Sequence, residues 1–278
     1  MRTQSEAAER TKTYYNSHEA DGFYQTIWGG QDIHVGIYRD DSESIADASR
    51  RTVETLATRL VGIDATSHIL DLGSGYGGSA RYLADRFGCR VTCLNLSETQ
   101  NAINRKLTTN MGLSERVHVV HGDFENIPES SNKFDAVWSQ DALLHSEDRC
   151  QVLEEVRRVL KKGGQFIFTD PMQSDNCPDL VLQPILDRIQ LSSLASFGFY
   201  HAELTSRSFK KATTEDLTDH LRIHYERVGQ ALKNRYDEAV TLSGQTYVDD
   251  MIKGLQHWVD GAHRGYLAWG IMDYRLTL

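Results

Sequence analysis

Two rhythms of apolar and polar positions alternate through the middle of the chain. Short apolar runs at 68–72 (HILDL), 90–94 (RVTCL), 116–120, 134–138 and 165–169 (QFIFT) have the length and residue types of buried strands. Between them, 79–87, 97–111 and 147–160 carry helical spacing. Ser97 predicts an N-cap for the second of these and Gly112 its stop, and Gly163-Gly164 closes the third. Strands separated by helices predict right-handed crossovers and an α/β, doubly wound, mostly parallel sheet. Ligands of such sheets sit beyond the strand C-termini, so the residues after Leu72, Leu94, Val120, Trp138 and Thr169 are expected to share one pocket. Farther on, 171–184 reads as loop, 181–193, 215–240 and 247–259 as helices, and 266–276 as a final strand; the first sixty residues read as mainly helical. The flanks therefore predict a helical cap. Residues 1–60 form its N-terminal segment, 61–170 the ligand-binding core, and 171–278 the remaining cap helices with the last strands of the sheet.

Composition narrows the class. The chain has 278 residues, 40% hydrophobic and 25% charged, with 21 Gly, 4 Pro and 4 Cys, which excludes collagen-like, disordered and disulfide-scaffold designs. Mean hydropathy is −0.47, no apolar run has membrane-spanning length, and 1–10 is too polar for a secretory signal. Lys and Arg total 30 against 39 Asp and Glu, a net charge of −9, the wrong sign for a protein that neutralises phosphates. A cytoplasmic monomer or homodimer with no nucleic-acid or membrane partner is expected. Cys89, Cys93, Cys150 and Cys177 contain no CxxC pair and read as reduced thiols. His220 and His224 stand four apart on a helical segment, as metal ligands can, but no third ligand lies nearby. No metal is expected.

The first strand leads into Asp71-Leu72-Gly73-Ser74-Gly75-Tyr76-Gly77-Gly78. Glycines there allow positive φ and close approach to a ligand at a helix N-terminus. Gly73, Gly75 and Gly78 also fit the dinucleotide pattern GxGxxG, so a nicotinamide-dependent oxidoreductase is one reading. Three features favour another. Asp71 would repel a pyrophosphate and attract an ammonium group. Asp123 and Phe124 follow the third strand, offering a carboxylate to an adenine amino group and a ring for stacking. The segments DAVW (135–138) and LKKGGQF (160–166) occupy the fourth and fifth strand positions.

With these motifs in order, 69–170 resembles a class I S-adenosylmethionine-dependent methyltransferase, which implies a Rossmann-like fold with seven strands. The resemblance assigns Trp28, Asp71, Gly73, Ser74, Gly75, Gly77, Asn95, Leu96, Gln100, Asp123, Phe124 and Gln140 to S-adenosylmethionine. One position departs from the pattern: Asn95 stands where an acid usually holds the ribose hydroxyls, with Gln100 one turn on as a helper.

The segment 24–38 (YQTIWGGQDIHVGIY), with 73–83, 94–100 and the closing 267–274 (LAWGIMDY), resembles the sarcosine/dimethylglycine N-methyltransferases of glycine betaine synthesis. Relatives acting on phosphoethanolamine or tocopherols share the core motifs and remain alternatives. A methylated glycine brings an amine that needs a free lone pair, a carboxylate suited to an arginine fork, and a cationic product suited to aromatic faces. His145, in the loop after the fourth strand, and His34 are candidates beside the reacting amine, with Tyr38; each also reads as a packed or backbone-bonded side chain. Tyr24, Arg188 and Tyr200 are candidates for the acceptor, with Arg207 the substitute for Arg188.

Overall fold

The computed structural model describes residues 28, 30–40 and 42–277. Among them, seven strands form one sheet in the order β3-β2-β1-β4-β5-β9-β7. These are β1 (His68–Leu72), β2 (Arg90–Asn95), β3 (Val117–His121), β4 (Phe134–Gln140), β5 (Leu160–Thr169), β7 (Phe209–Asp216) and β9 (Gly270–Leu276). β9 alone runs opposite to the other six strands. Two short strands, β6 (Met172–Gln173) and β8 (Leu267–Ala268), pair separately. The expected doubly wound, mostly parallel sheet is therefore present, and the register aligns its ligand end. Leu72 stands level with Leu94 and Ser139, Asn95 with His121, and Gln140 with Thr169.

Strand periodicity sorts the core. Leu70, Leu72, Val137, Phe166 and Phe168 pack on one face with α4 (Arg149–Val159) and α6 (Phe197–Ser206). Ile69, Val91, Trp138 and Ile167 pack on the other with α1 (Ile45–Ala57) and α2 (Gly78–Phe87). Both faces are covered, which is why the central strands read as continuous apolar runs. The helix α3 (Glu98–Asn110) is capped by Ser97, whose side chain accepts from the Gln100 amide, and Gly112 beyond it sits at φ 69°. A third cluster joins α5 (Gln183–Ile189), α7 (Thr218–Asn234), α8 (Tyr236–Ser243) and α9 (Gln245–His263) to Trp28, Val35 and Trp269. The cap thus leans on the sheet through side chains from both ends of the chain.

The structure corrects several elements. Gly163-Gly164 does not close a helix: α4 ends at Val159 and both glycines lie inside β5, whose register with β4 shifts between Phe134 and Ala136. The segment read as one helix over 215–240 begins in β7 and breaks at Arg235, which divides α7 from α8. The strand β7 is exposed after Phe209 and carries Lys210 and Lys211; an edge strand with one solvated face and charged residues resists further pairing and gives no apolar alternation to read. The helix α6 was also missed, because Gly198 interrupts its pattern; the Ser196 side chain caps it by accepting from the Phe199 amide. All four cysteines are free thiols, with Cys89 and Cys93 buried. Among the described residues no helix is long and apolar enough to cross a membrane.

Candidate active site

Beyond the C-terminal ends of β1, β2 and β4 lies a cavity of about 960 Å3, counting the space open at its mouth. Its floor is the glycine turn. Gly73, Gly75 and Gly77 have φ of 72°, 50° and 75°, a region closed to most side chains. The turn hangs from β2, with the Gly73 and Ser74 amides donating to the Leu94 carbonyl at 2.9 and 3.3 Å. A Cβ on Gly73 would stand 2.3 Å from the Ala142 Cβ, so glycine lets the turn meet the loop after β4.

Asp71, at the penultimate position of β1, is buried and lines the cavity, and its Oδ2 has no hydrogen-bond partner. Burial, reinforced by the charge of Asp32 and opposed by that of Arg81, pushes its carboxyl up to about 7. Asp32 also lines the cavity; it pairs with Arg50 at 2.8 Å through Oδ2, while its buried Oδ1 has no partner. These carboxyls present acceptor capacity that a cationic ligand satisfies.

On the β2 side, the Asn95 amide donates to Gln100 Oε1 at 3.1 Å, which keeps the Asn95 carbonyl oxygen as an acceptor. Beyond β3, the Asp123 side chain caps a 3-10 turn (Phe124–Asn126) by accepting from the Glu125 amide at 2.8 Å. Burial raises the Asp123 carboxyl. On the β4 side, Gln140 Oε1 accepts from Ser79 Oγ at 2.6 Å and Trp138 Nε1 at 3.1 Å, and its buried Nε2 is unpartnered.

The other wall holds His34, Asp141 and His145. Burial holds the His34 imidazole below its ordinary value against the pull of Asp32 and Asp141, and neither of its ring nitrogens has a partner. His145 is driven down to about 4 by burial, with the Arg149 charge adding. Both rings are neutral near pH 7. Asp141 takes φ 51°, a left-handed conformation that Asp tolerates better than most residues. Its Oδ1 accepts from Thr169 Oγ1 at 2.7 Å and Trp269 Nε1 at 2.8 Å, and its Oδ2 accepts the Val35 amide at 2.7 Å. Beneath this loop Asp170 accepts from the Leu144 amide at 2.9 Å and from Tyr200 Oη at 2.7 Å. Burial pushes its carboxyl up to about 7.

The structure brings together Asp71, Gly73, Ser74, Gly75, Asn95, Leu96, Gln100, Asp123, Phe124, Gln140, His34 and His145 around this cavity. Other expected site residues stand elsewhere. Gly77 is the N-cap of α2, where a Cβ would overlap the Asn104 amide at 2.2 to 2.4 Å. Trp28 donates from Nε1 to the His34 carbonyl at 3.4 Å and sets its ring against His224. Tyr38 is buried with its hydroxyl on His224 Nδ1 at 2.9 Å. Tyr200 serves Asp170. Arg188 lies between α5 and α9, with Nη2 2.8 Å from Met251 Sδ, because the guanidinium is the strut that fills the space above Gly254. Arg207 pairs with Glu203 at 2.5 Å on α6. Tyr24 lies outside the described residues. Among those described, no three His, Cys, Asp or Glu side chains gather as a metal site.

Asp141 and Asp32 line the cavity, and the sequence reading does not single them out. A readable signal exists for the first, since Asp141 directly follows Gln140 at the end of β4.

A seven-stranded sheet with one reversed strand is the Rossmann-like fold of the class I methyltransferases, and 70–168 match the methyltransferase domain family. The chain is 49% identical to the sarcosine/dimethylglycine N-methyltransferase of Halorhodospira halochloris over 99% of its own length and 98% of that protein. It is 46% identical to the enzyme of the same name from Aphanothece halophytica, over 96% of each chain. The crystal structure of a Galdieria sulphuraria protein, described provisionally as a sarcosine dimethylglycine methyltransferase, superposes with a TM-score of 0.90 at 39% identity. That match covers 95% of this chain and 99% of the other. The chain belongs to the sarcosine/dimethylglycine N-methyltransferase family, and it is an N-methyltransferase.

Proposed function

We propose that the chain uses S-adenosylmethionine to methylate sarcosine, dimethylglycine or both, giving dimethylglycine and glycine betaine, in the cytoplasm and without a metal. The observation that carries this is the unpartnered, buried Asp71 oxygen in a cavity walled by further carboxylates. The cofactor bears an ammonium group and a sulfonium, and the residues present fit both. Asp71 would hold the ammonium, Asn95 and Gln100 the ribose hydroxyls, and Asp123 with Phe124 the adenine. When bound, the cofactor supplies a methyl group on a positively charged sulfur.

The chain's own side chains do the rest by alignment, which alone contributes roughly 7–11 kcal/mol to such displacements. His34 and His145 are kept uncharged by burial, so neither opposes a cation arriving in the cavity. His34, whose ring nitrogens have no partner, can accept the single N–H that free sarcosine carries and so orient its lone pair; free dimethylglycine has no N–H and is aligned by packing alone. An imidazole at about 4 is too weak a base to deprotonate an alkylammonium, so the site selects the acceptor as free amine. The Asp141 carboxylate balances the positive charge that develops on the acceptor nitrogen.

Incubation with methyl-labelled cofactor and, in turn, glycine, sarcosine, dimethylglycine and phosphoethanolamine tests the reading. Label is expected in sarcosine or dimethylglycine products. Label only in phosphoethanolamine, or in none, overturns it.

A further inference from the structure

The strap 34–38 crosses between α1 and α7 with no strand beside it, yet its backbone is paired almost throughout. The Val35 amide donates to Asp141 Oδ2 at 2.7 Å, Gly36 to His224 Nδ1 at 3.1 Å, Ile37 to Thr52 Oγ1 at 3.1 Å, and Tyr38 to His220 Nδ1 at 3.2 Å. In return, the His34 carbonyl accepts from Ser49 Oγ at 2.9 Å, Val35 from Thr52 Oγ1 at 2.8 Å, and Ile37 from Arg51 Nη1 at 2.7 Å. Side chains of α1, α7 and the loop after β4, with the Ala48 carbonyl also accepting the Ile37 amide at 3.0 Å, thus replace the missing neighbour strand. The spacing explains how one helix serves. Four residues of helix rise about 6 Å, and two residues of extended chain about 6.6 Å, so histidines four apart meet alternate amides.

Both imidazoles accept at Nδ1, so each carries its proton on Nε2 and is neutral. We propose that His220 and His224 are positioning residues, serving as the hydrogen-bond partner of the strap and holding His34 and Asp32 over the cavity before any ligand arrives. The inference rests on reading that cavity as the site of methyl transfer, and it gives this histidine pair a role other than metal binding. Protonation would set an N–H against an N–H and release the strap. The surroundings oppose protonation at both positions. His224 is buried and faces His34 and the Tyr38 hydroxyl, and burial drives its imidazole down to about 3. His220 is half-buried beside Asp219 and Arg51, and burial lowers it while Asp219 pulls the other way.

Hydrogen exchange of a peptide spanning 34–38, read by mass spectrometry on the unliganded full chain and corrected for intrinsic rates, tests this directly. Loss of one amide acceptor in His220→Ala is expected to speed exchange of that peptide about tenfold, while sheet peptides stay protected. The acceptor KM should rise more than kcat falls. His220→Asn returns an acceptor oxygen near the Nδ1 position and should restore slow exchange and KM. It should also lessen the faster strap opening of wild type in acid, leaving only the part due to His224. His224→Asn and His224→Ala repeat the comparison; should the second fail to fold, the half-buried His220 pair decides. Unchanged strap exchange in His220→Ala, or Asn no better than Ala, overturns the proposal. A wild type that methylates no acceptor refutes the functional reading instead, because the exchange result does not depend on turnover.

Discussion

Asp71→Asn keeps the size of the side chain and deletes its charge, so it separates what that carboxyl costs the fold from what it gives the ligand. In the folded protein the group ionises at about 7, driven up by burial first and Asp32 second; in an unfolded chain an aspartate ionises near 3.9. Between these values the folded state binds more protons than the unfolded one, so this group makes stability fall as pH rises from about 4 to 7. At about 1.4 kcal/mol per pH unit, the deficit in the unliganded protein reaches about 4 kcal/mol by pH 8. The amide removes it. Urea unfolding is therefore expected to show Asp71→Asn more stable than wild type at pH 8, by up to about 4 kcal/mol, with the advantage shrinking steadily towards pH 4. Ligand binding should move the other way. A hydrogen bond to a charged group contributes about 1.5–3 kcal/mol, so calorimetric titration at pH 8 should show S-adenosylhomocysteine, which keeps the ammonium, bound roughly 10- to 100-fold more weakly. A variant less stable than wild type at pH 8, or one that binds as tightly, would refute this account of Asp71.

Three further substitutions probe other parts of the cavity. Gly73→Ala places a methyl at φ 72° and 2.3 Å from the Ala142 Cβ; a loss of roughly 1–3 kcal/mol in stability and at least tenfold weaker S-adenosylhomocysteine binding are expected, and wild-type behaviour in both would show that the turn does not contact the ligand. Asn95→Asp restores charge assistance to a hydroxyl acceptor, so the same titration should show binding about three- to tenfold tighter, and no gain would place the ribose elsewhere. Arg188→Ala should lower the unfolding free energy by about 1 kcal/mol through lost packing while leaving the acceptor KM within twofold; a tenfold rise in KM would return Arg188 to the site.

The parts of the fold that were legible are those whose signal is local. The strands β1, β2 and β4 are buried on both faces, so their apolar runs announce them, and the glycine turn declares itself because positive φ restricts its residues to glycine. Asp71, Asn95 and Gln140 follow at once, since parallel register brings consecutive strand ends to one edge. The strand β7 was hidden for the converse reason. Its single neighbour β9 supplies the pairing while its own side chains face water, so the polar FKKATTED run gives no strand signal and its last two residues read as the start of the next helix.

The acceptor side was harder to read because its geometry is made by partners far apart in the chain. Val35 meets Asp141 across 106 residues, Trp269 meets the same carboxylate across 128, and Gly36 meets His224 across 188. No window of sequence contains those pairs. Reasoning from chemistry alone therefore favours residues conspicuous by type, such as Arg188 for a carboxylate and Tyr38 or Trp28 for a cation, and the structure spends all three on packing the cap and strap. What faces the cavity there is less conspicuous: an aspartate in a left-handed turn, and histidines whose worth lies in being uncharged. Neutral imidazoles and buried carboxyls suit a site that must admit a cation, and their burial is supplied by the cap. Loosening the cap should thus raise the acid sensitivity of methyl transfer before it lowers the stability of the sheet.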